Sequence, residues 1–239
     1  MGTWTVARRE LASLASSPVA LIAAVAYLVV TGVWLFFLNH FFAQNEASLR
    51  LYFNVLPVVF AILLPALTMR SWARERRSGT LEILMTPPLR DGEIVFGKFL
   101  GALVLLAGLL VFSLPLPLSL APLGAFDPGQ VTCQYLGALL IGAAGIAAGL
   151  FMSSLCRGQA AAFILGALLL TALTLAGPAV VMIALPPWLA AALSYASFSS
   201  HFDSFKKGLL DSRDILYFFA AIGLFLFLSS RALARRRES

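Results

Sequence analysis

The sequence has little charge to offer. Only 12% of its 239 residues are Asp, Glu, Lys or Arg, while 60% are hydrophobic and mean hydropathy is +0.92. A soluble domain of this length needs a charged covering that this chain does not have. Cysteine and histidine are nearly absent, at two residues each. Cys133 and Cys156 sit at opposite ends of one predicted helix, roughly 35 Å apart at about 1.5 Å per residue, which rules out an intrachain disulfide. His40 and His201 stand alone, without the cysteine or carboxylate cluster a metal site needs. The apolar runs carry no Asp, Glu, Lys, Arg or His in their interiors, which argues against a proton-coupled carrier. No nucleophile–base pair appears in them, so no catalytic residue is expected. The net charge of +6 forms no basic face with interleaved aromatics, so nucleic acid is not an expected partner. No period of 20–50 residues repeats along the chain.

What the chain does have is long uncharged stretches. A helix needs about 20 apolar residues to cross the hydrocarbon core. Six runs approach or meet that length: Val19–Leu38, Leu51–Met69, Phe99–Ala121, Cys133–Leu155, Ala160–Leu185 and the shorter Ile215–Ser230. The first is too long for the core of a signal peptide, despite Arg8 and Arg9 before it, and is read as a retained span. The expected fold is therefore an all-α membrane protein, one transmembrane domain over residues 1–239. With the N-terminus inside, only Arg50, Lys206, Lys207 and Arg213 of the 17 basic residues fall outside. That bias places both ends on the cytoplasmic side.

Ahead of the first span, Trp4, Ala7, Leu11 and Leu14 share one helical face, with Arg8, Arg9 and Glu10 elsewhere. This pattern predicts a short amphipathic helix on the inner surface, ended by Ser17-Pro18. Gly142, Gly145 and Gly149 in the fourth run predict close helix packing, with Gly145 and Gly149 as a G-x-x-x-G pair. Between spans five and six, Phe202, Phe205 and Leu209 share a face beside Asp203, Lys206 and Lys207. One or two short outer helices are expected there, acting as a gate, a surface for an outer partner, or a cap on the bundle. Asp211 or Ser212 is expected to cap the last helix.

The longest inner segment runs from Arg70 to Lys98. Thr80 can cap a helix with Glu82 in its first turn, and Leu81, Leu84 and Met85 then share one face. Pro87-Pro88 ends it, and Asp91 with Glu93 opens the next helix. Such a helix can dock in a groove of a soluble partner or lie on the leaflet, with Arg74, Arg76 and Arg77 on lipid phosphates. Gly92–Lys98 fits G-x-x-x-x-G-K, but Phe99 stands where a Ser or Thr would hold magnesium, and no strand precedes it. This chain is therefore not expected to bind a nucleotide.

At this loop, Glu75, the run Ser78-Gly79-Thr80-Leu81-Glu82, Leu84, Pro87, Glu93-Ile94-Val95 and Gly97-Lys98 resemble the signature of ABC-2 type transporter permeases. His201–Phe205, Lys207-Gly208 and Asp211–Asp214 resemble the gliding-motility-associated, GldF-like branch. The resemblance implies a multi-pass protein of the bacterial inner (cytoplasmic) membrane, paired with a second permease half, identical or related. Two ABC ATPase subunits would bind ATP and Mg for the complex, with no cofactor in this chain. Gly79–Pro87 would be the coupling helix, its apolar face of Leu81, Leu84 and Met85 inserted in the ATPase and oriented by Arg74, Glu75, Arg76 and Arg77. The implied function is substrate export. The alternatives are conformational work on an outer-side or periplasmic protein with nothing transported, and an ATP-independent carrier.

Overall fold

The computed structural model describes residues 2–38, 49–77, 91–120, 127–156, 158–177 and 186–237, with the backbone alone at 73–77 and 236–237. Among the described residues every regular element is helical: α1 (Thr3–Ala15), α2 (Pro18–Val33), α3 (Arg50–Arg77), α4 (Asp91–Ser113), α5 (Pro115–Leu120), α6 (Pro128–Leu155), α7 (Gln159–Leu175), α8 (Pro187–Ala196), α9 (Phe198–Lys206) and α10 (Ser212–Arg237).

Among the described residues, five stretches are long and apolar enough to cross a membrane: Pro18–Leu38, Arg50–Trp72, Asp91–Leu120, Pro128–Leu155 and Ser212–Arg235. The fifth expected run is represented by α7, an apolar helix of 17 residues. The remainder of that run, 178–185, lies outside the described residues. Two boundaries differ from the sequence reading. The third expected span begins at Asp91, eight residues early, because Asp91 and Glu93 occupy the first turn, where carboxylates oppose the positive helix end. The last helix reaches 26 residues, since its polar flanks continue the helix beyond the apolar run.

Local chemistry sets the remaining ends. Ser17 caps α2 by accepting from the Ala20 N–H at 3.3 Å, with Pro18 in the first turn. The last turn of the first span widens into a π-helix over Trp34–Leu38, and Trp34 Nε1 donates to the Leu51 carbonyl at 3.0 Å. Asp127 caps α6 through the Gly129 N–H at 2.9 Å. Asp211 accepts from the Arg213 N–H at 2.9 Å and caps α10.

Helices α6 and α3 form the centre. Within their spans, 72% and 67% of residues are buried, against 22% for the first span and 17% for the last. The small residues of α6 explain this. A side chain at Gly142 would meet Leu106 of α4 and Phe60 of α3; one at Gly145 would meet Leu64; one at Gly149 would meet Thr68. The three expected packing glycines thus lie on the seam where α3 and α4 press against α6. The outward faces of α2 and α10 carry exposed Leu21, Ile22, Val25, Leu216, Phe219 and Phe227, as a lipid-bathed or partnered surface requires.

Candidate functional site

Residues 78–90 join α3 to α4, and Gly79, Thr80, Leu81, Glu82, Leu84, Met85 and Pro87 lie outside the described residues. Arg74, Glu75, Arg76 and Arg77 form the last turn of α3, with backbone alone described. Beside the two ends of this segment, the side chains of α1, of α3 up to Trp72 and of α4 are described.

There α1 docks on α4. Gly97 lies against Val6 and the Thr3 carbonyl, and Gly101 against the Ala7 carbonyl and the Glu10 stem, so close that any side chain would collide with α1. The docked face keeps Ala7, Leu11 and Leu14 of the expected stripe, adds Thr3, Val6 and Glu10, and leaves out Trp4. Trp4 is 74% exposed, and Glu10 faces inward. The stripe of small residues on α4 makes the difference. It admits the α1 backbone and leaves a polar slot for one carboxylate.

That slot holds Lys98, 1% exposed. Its ammonium donates to Glu10 Oε2 at 3.1 Å and to the Ser71 carbonyl at 2.9 Å, and lies 4.8 Å from the centroid of the Trp72 ring. Ser71 Oγ donates to Glu10 Oε1 at 2.6 Å. Ser153 of α6 accepts from the Trp72 N–H at 3.4 Å and donates to the Met69 carbonyl at 3.3 Å. A buried ammonium is tolerated only when paired and hydrogen-bonded, and here α1 and α3 together supply the partners. The cluster joins α1, α3, α4 and α6 at the point where the segment 78–90 leaves and rejoins the bundle. Chemically it is a buried, hydrogen-bonded ion pair that ties these helices together.

Sequence reasoning placed Lys98 in an inner loop. The available signal was Gly97 and Gly101 flanking it at a spacing of four, which marks a helix face built for close approach. Its partner Glu10, 88 residues earlier, had no such mark.

At the opposite end of the bundle, α8 and α9 fold over α6 and α10. Phe202 and Phe205 are fully buried; both approach Gly137 of α6, and Phe205 lies 6.1 Å from Phe218 of α10 between ring centroids. In this conformation the two rings cap the bundle and present no surface to an outer partner. Asp203 is exposed and pairs with Lys206. Gln134 donates to the Lys206 carbonyl at 2.9 Å, tying the end of α9 to α6. Gly208, with φ +80°, turns the chain where a side chain would strike Gln130. His201 Nδ1 lies 2.7 Å from Asp214 Oδ1 and its Nε2 lies 2.9 Å from the Tyr195 carbonyl oxygen, while its ring stacks on Tyr217 at 3.8 Å. One side chain so ties α8, α9 and α10 together.

No curated protein matches this chain. The profile of a family described as ABC-2 family transporter protein matches residues 11–231. That match runs from within α1 into the last turns of α10 and takes in the first four membrane-length helices, most of the fifth, the cap, and the Lys98 cluster apart from Glu10. It agrees with the helical bundle and its apolar spans: the chain belongs to the ABC-2 transporter family, as a multi-pass transmembrane subunit of an ABC transporter.

Proposed function

We propose that this chain is one membrane half of an exporter that works as a dimer of permeases on a pair of ATPase subunits, with both termini in the cytoplasm. The stretch Gly79–Pro87 is the coupling helix. Its apolar residues Leu81, Leu84 and Met85 dock in the ATPase, and closure of the ATPases on ATP pulls on the segment. The observation that carries this reading is the buried Lys98 cluster. It cross-braces α1, α3, α4 and α6 at the root of the segment, so a displacement applied there moves four helices as one body. Without such a brace, a pull on a surface loop would dissipate in the loop. The sparsely buried first and last spans leave apolar faces available for the second half. The output is export of a substrate or, as in the gliding-type reading, work on an outer-side partner.

The test is co-purification of the tagged chain from its own membrane in mild detergent. A soluble ATPase is expected to accompany it, and deletion of Gly79–Pro87 or the change Leu84→Asp is expected to release that ATPase while the chain stays folded. Retention of the ATPase by both variants, with unchanged ATP turnover, refutes the coupling assignment.

A further inference from the structure

Beside the Lys98 cluster, and distinct from it, lies a polar recess of about 50 Å³ between α1, the start of α2 and the end of α3. Ser13, Ser17, Glu10, Ser71 and Arg70 line its polar side. It has room for a few water-sized groups. Arg70 Nε is buried there without a hydrogen-bond partner. A buried donor on a cation left unsatisfied is costly, and Arg70 also lines the recess, where an anion meets the rest of its guanidinium charge. Among the described lining residues Glu10 is the only carboxylate. Its charge is met by Lys98 and its other oxygen by Ser71, so Arg70 sets the character of the recess as a site for an anion.

Val19 lines this recess and also the mouth of a second cavity, an apolar groove of about 340 Å³ between α2 and α3. Ala23, Tyr27, Val59 and Leu63 form its buried floor, and exposed Ile22 and Ile62 its rim. The groove follows α2 from Val19 to Val30, eleven steps of about 1.5 Å, or roughly 17 Å. That matches one leaflet, about half of a hydrocarbon core roughly 30 Å thick. The polar recess at the Val19 end of the groove is lined by α1, the helix that carries Arg8 and Arg9 and faces the inner leaflet by charge bias.

We propose that these two cavities are one binding site for an anionic phospholipid of the inner leaflet, held as a resident ligand. Its phosphate pairs with the Arg70 guanidinium where that side chain lines the recess, with Ser13 and Ser17 beside it, and one acyl chain lies along the groove. A bound lipid then joins α1, α2 and α3 next to the braced root of the segment 78–90, so the composition of the leaflet sets how firmly α1 is seated.

The test uses the full chain, purified and delipidated in detergent. Phosphatidylglycerol, phosphatidylcholine or glycerol 3-phosphate is added back, binding is read by native mass spectrometry, and stability by melting. Phosphatidylglycerol is expected to bind and raise the melting temperature, phosphatidylcholine to do so weakly, and glycerol 3-phosphate not at all. Arg70→Gln is expected to weaken phosphatidylglycerol binding about tenfold, the scale of one charge-assisted contact. Ala26→Phe fills the groove from an exposed lining position, so it tests the chain site without disturbing the core, and it is expected to abolish binding. Equal binding of the two lipids, or an undiminished effect in both variants, overturns the proposal. Equal stabilisation by glycerol 3-phosphate shows an anion site with no lipid, and also overturns it. Efficient cross-linking of two copies through Ile62→Cys, with no lipid retained, identifies the groove as a seam between permeases and overturns it too.

Discussion

Replacing Lys98 with methionine keeps the aliphatic stem against Trp72 and removes the ammonium. The Glu10 carboxylate, with 12% of its side chain exposed, then retains only the Ser71 hydroxyl. Breaking a buried pair by removing one partner costs about 3–5 kcal/mol. The slight exposure of Glu10 places this case near the lower end, about 3 kcal/mol. In a chain of this length each kcal/mol moves the midpoint by about 2–4 °C, so Lys98→Met is expected to lower it by roughly 6–12 °C. The protein carries its own reporter. Cys133 and Cys156 are both buried free thiols, so a thiol-reactive dye stays dark until the bundle opens. Adding Glu10→Gln to Lys98→Met removes the stranded charge and still lets Ser71 donate. It is expected to recover more than half of the loss, because the two residues share one network. A shift below about 2 °C for the single change, or no recovery in the double variant, refutes the account of Lys98 as a paired structural cation.

Three other outcomes follow from the packing. Gly149→Leu drives a side chain into Thr68 and is expected to destabilise by at least the roughly 1–3 kcal/mol of ordinary overpacking, read by the same thiol melt. Gly97→Leu is expected to unseat α1 while leaving the spans folded, so limited proteolysis should cleave between Arg9 and Ser17 in the variant and spare the parent. Asp214→Ala removes the carboxylate that ties His201 to α10; it is expected to cost about 1–3 kcal/mol and to raise amide exchange in α8 and α9, with α6 unaffected.

The spans were legible because bilayer-length apolar runs leave little choice of structure. Their ends were less so. Asp91 and Glu93 read as a helix start, while the apolar run itself opens only at Phe99, since hydropathy falls across Lys98. The shared face of Phe202 and Phe205 was legible from spacing; what lies beneath it was not, because Gly137 is distant in sequence and carries no signal beyond its small size. The α1 face is legible only in part: Ala7 and Leu14 are buried as the pattern expects, while Trp4 is exposed. Amphipathicity ranks residues by hydrophobicity, whereas Glu10 turns inward to meet a cation that only the folded bundle supplies. Arg70 likewise reads as one more basic residue beside a span, and the cavity it lines appears only in the fold.

The partnership of Glu10 with Lys98 also fixes an order of events during synthesis. The two residues are 88 positions apart, and at about 5–20 residues per second Lys98 leaves the ribosome roughly 4–18 s after Glu10. For that interval two spans are made while α1 has neither the glycine stripe nor the cation that seats it. It must wait at the membrane surface, held by its own apolar side chains, until α4 arrives. Seating of α1 therefore reports that the third membrane-length helix has been delivered in the correct orientation. A nascent chain with α4 inserted the wrong way would leave Glu10 unpaired and its N-terminal helix exposed to quality-control proteases.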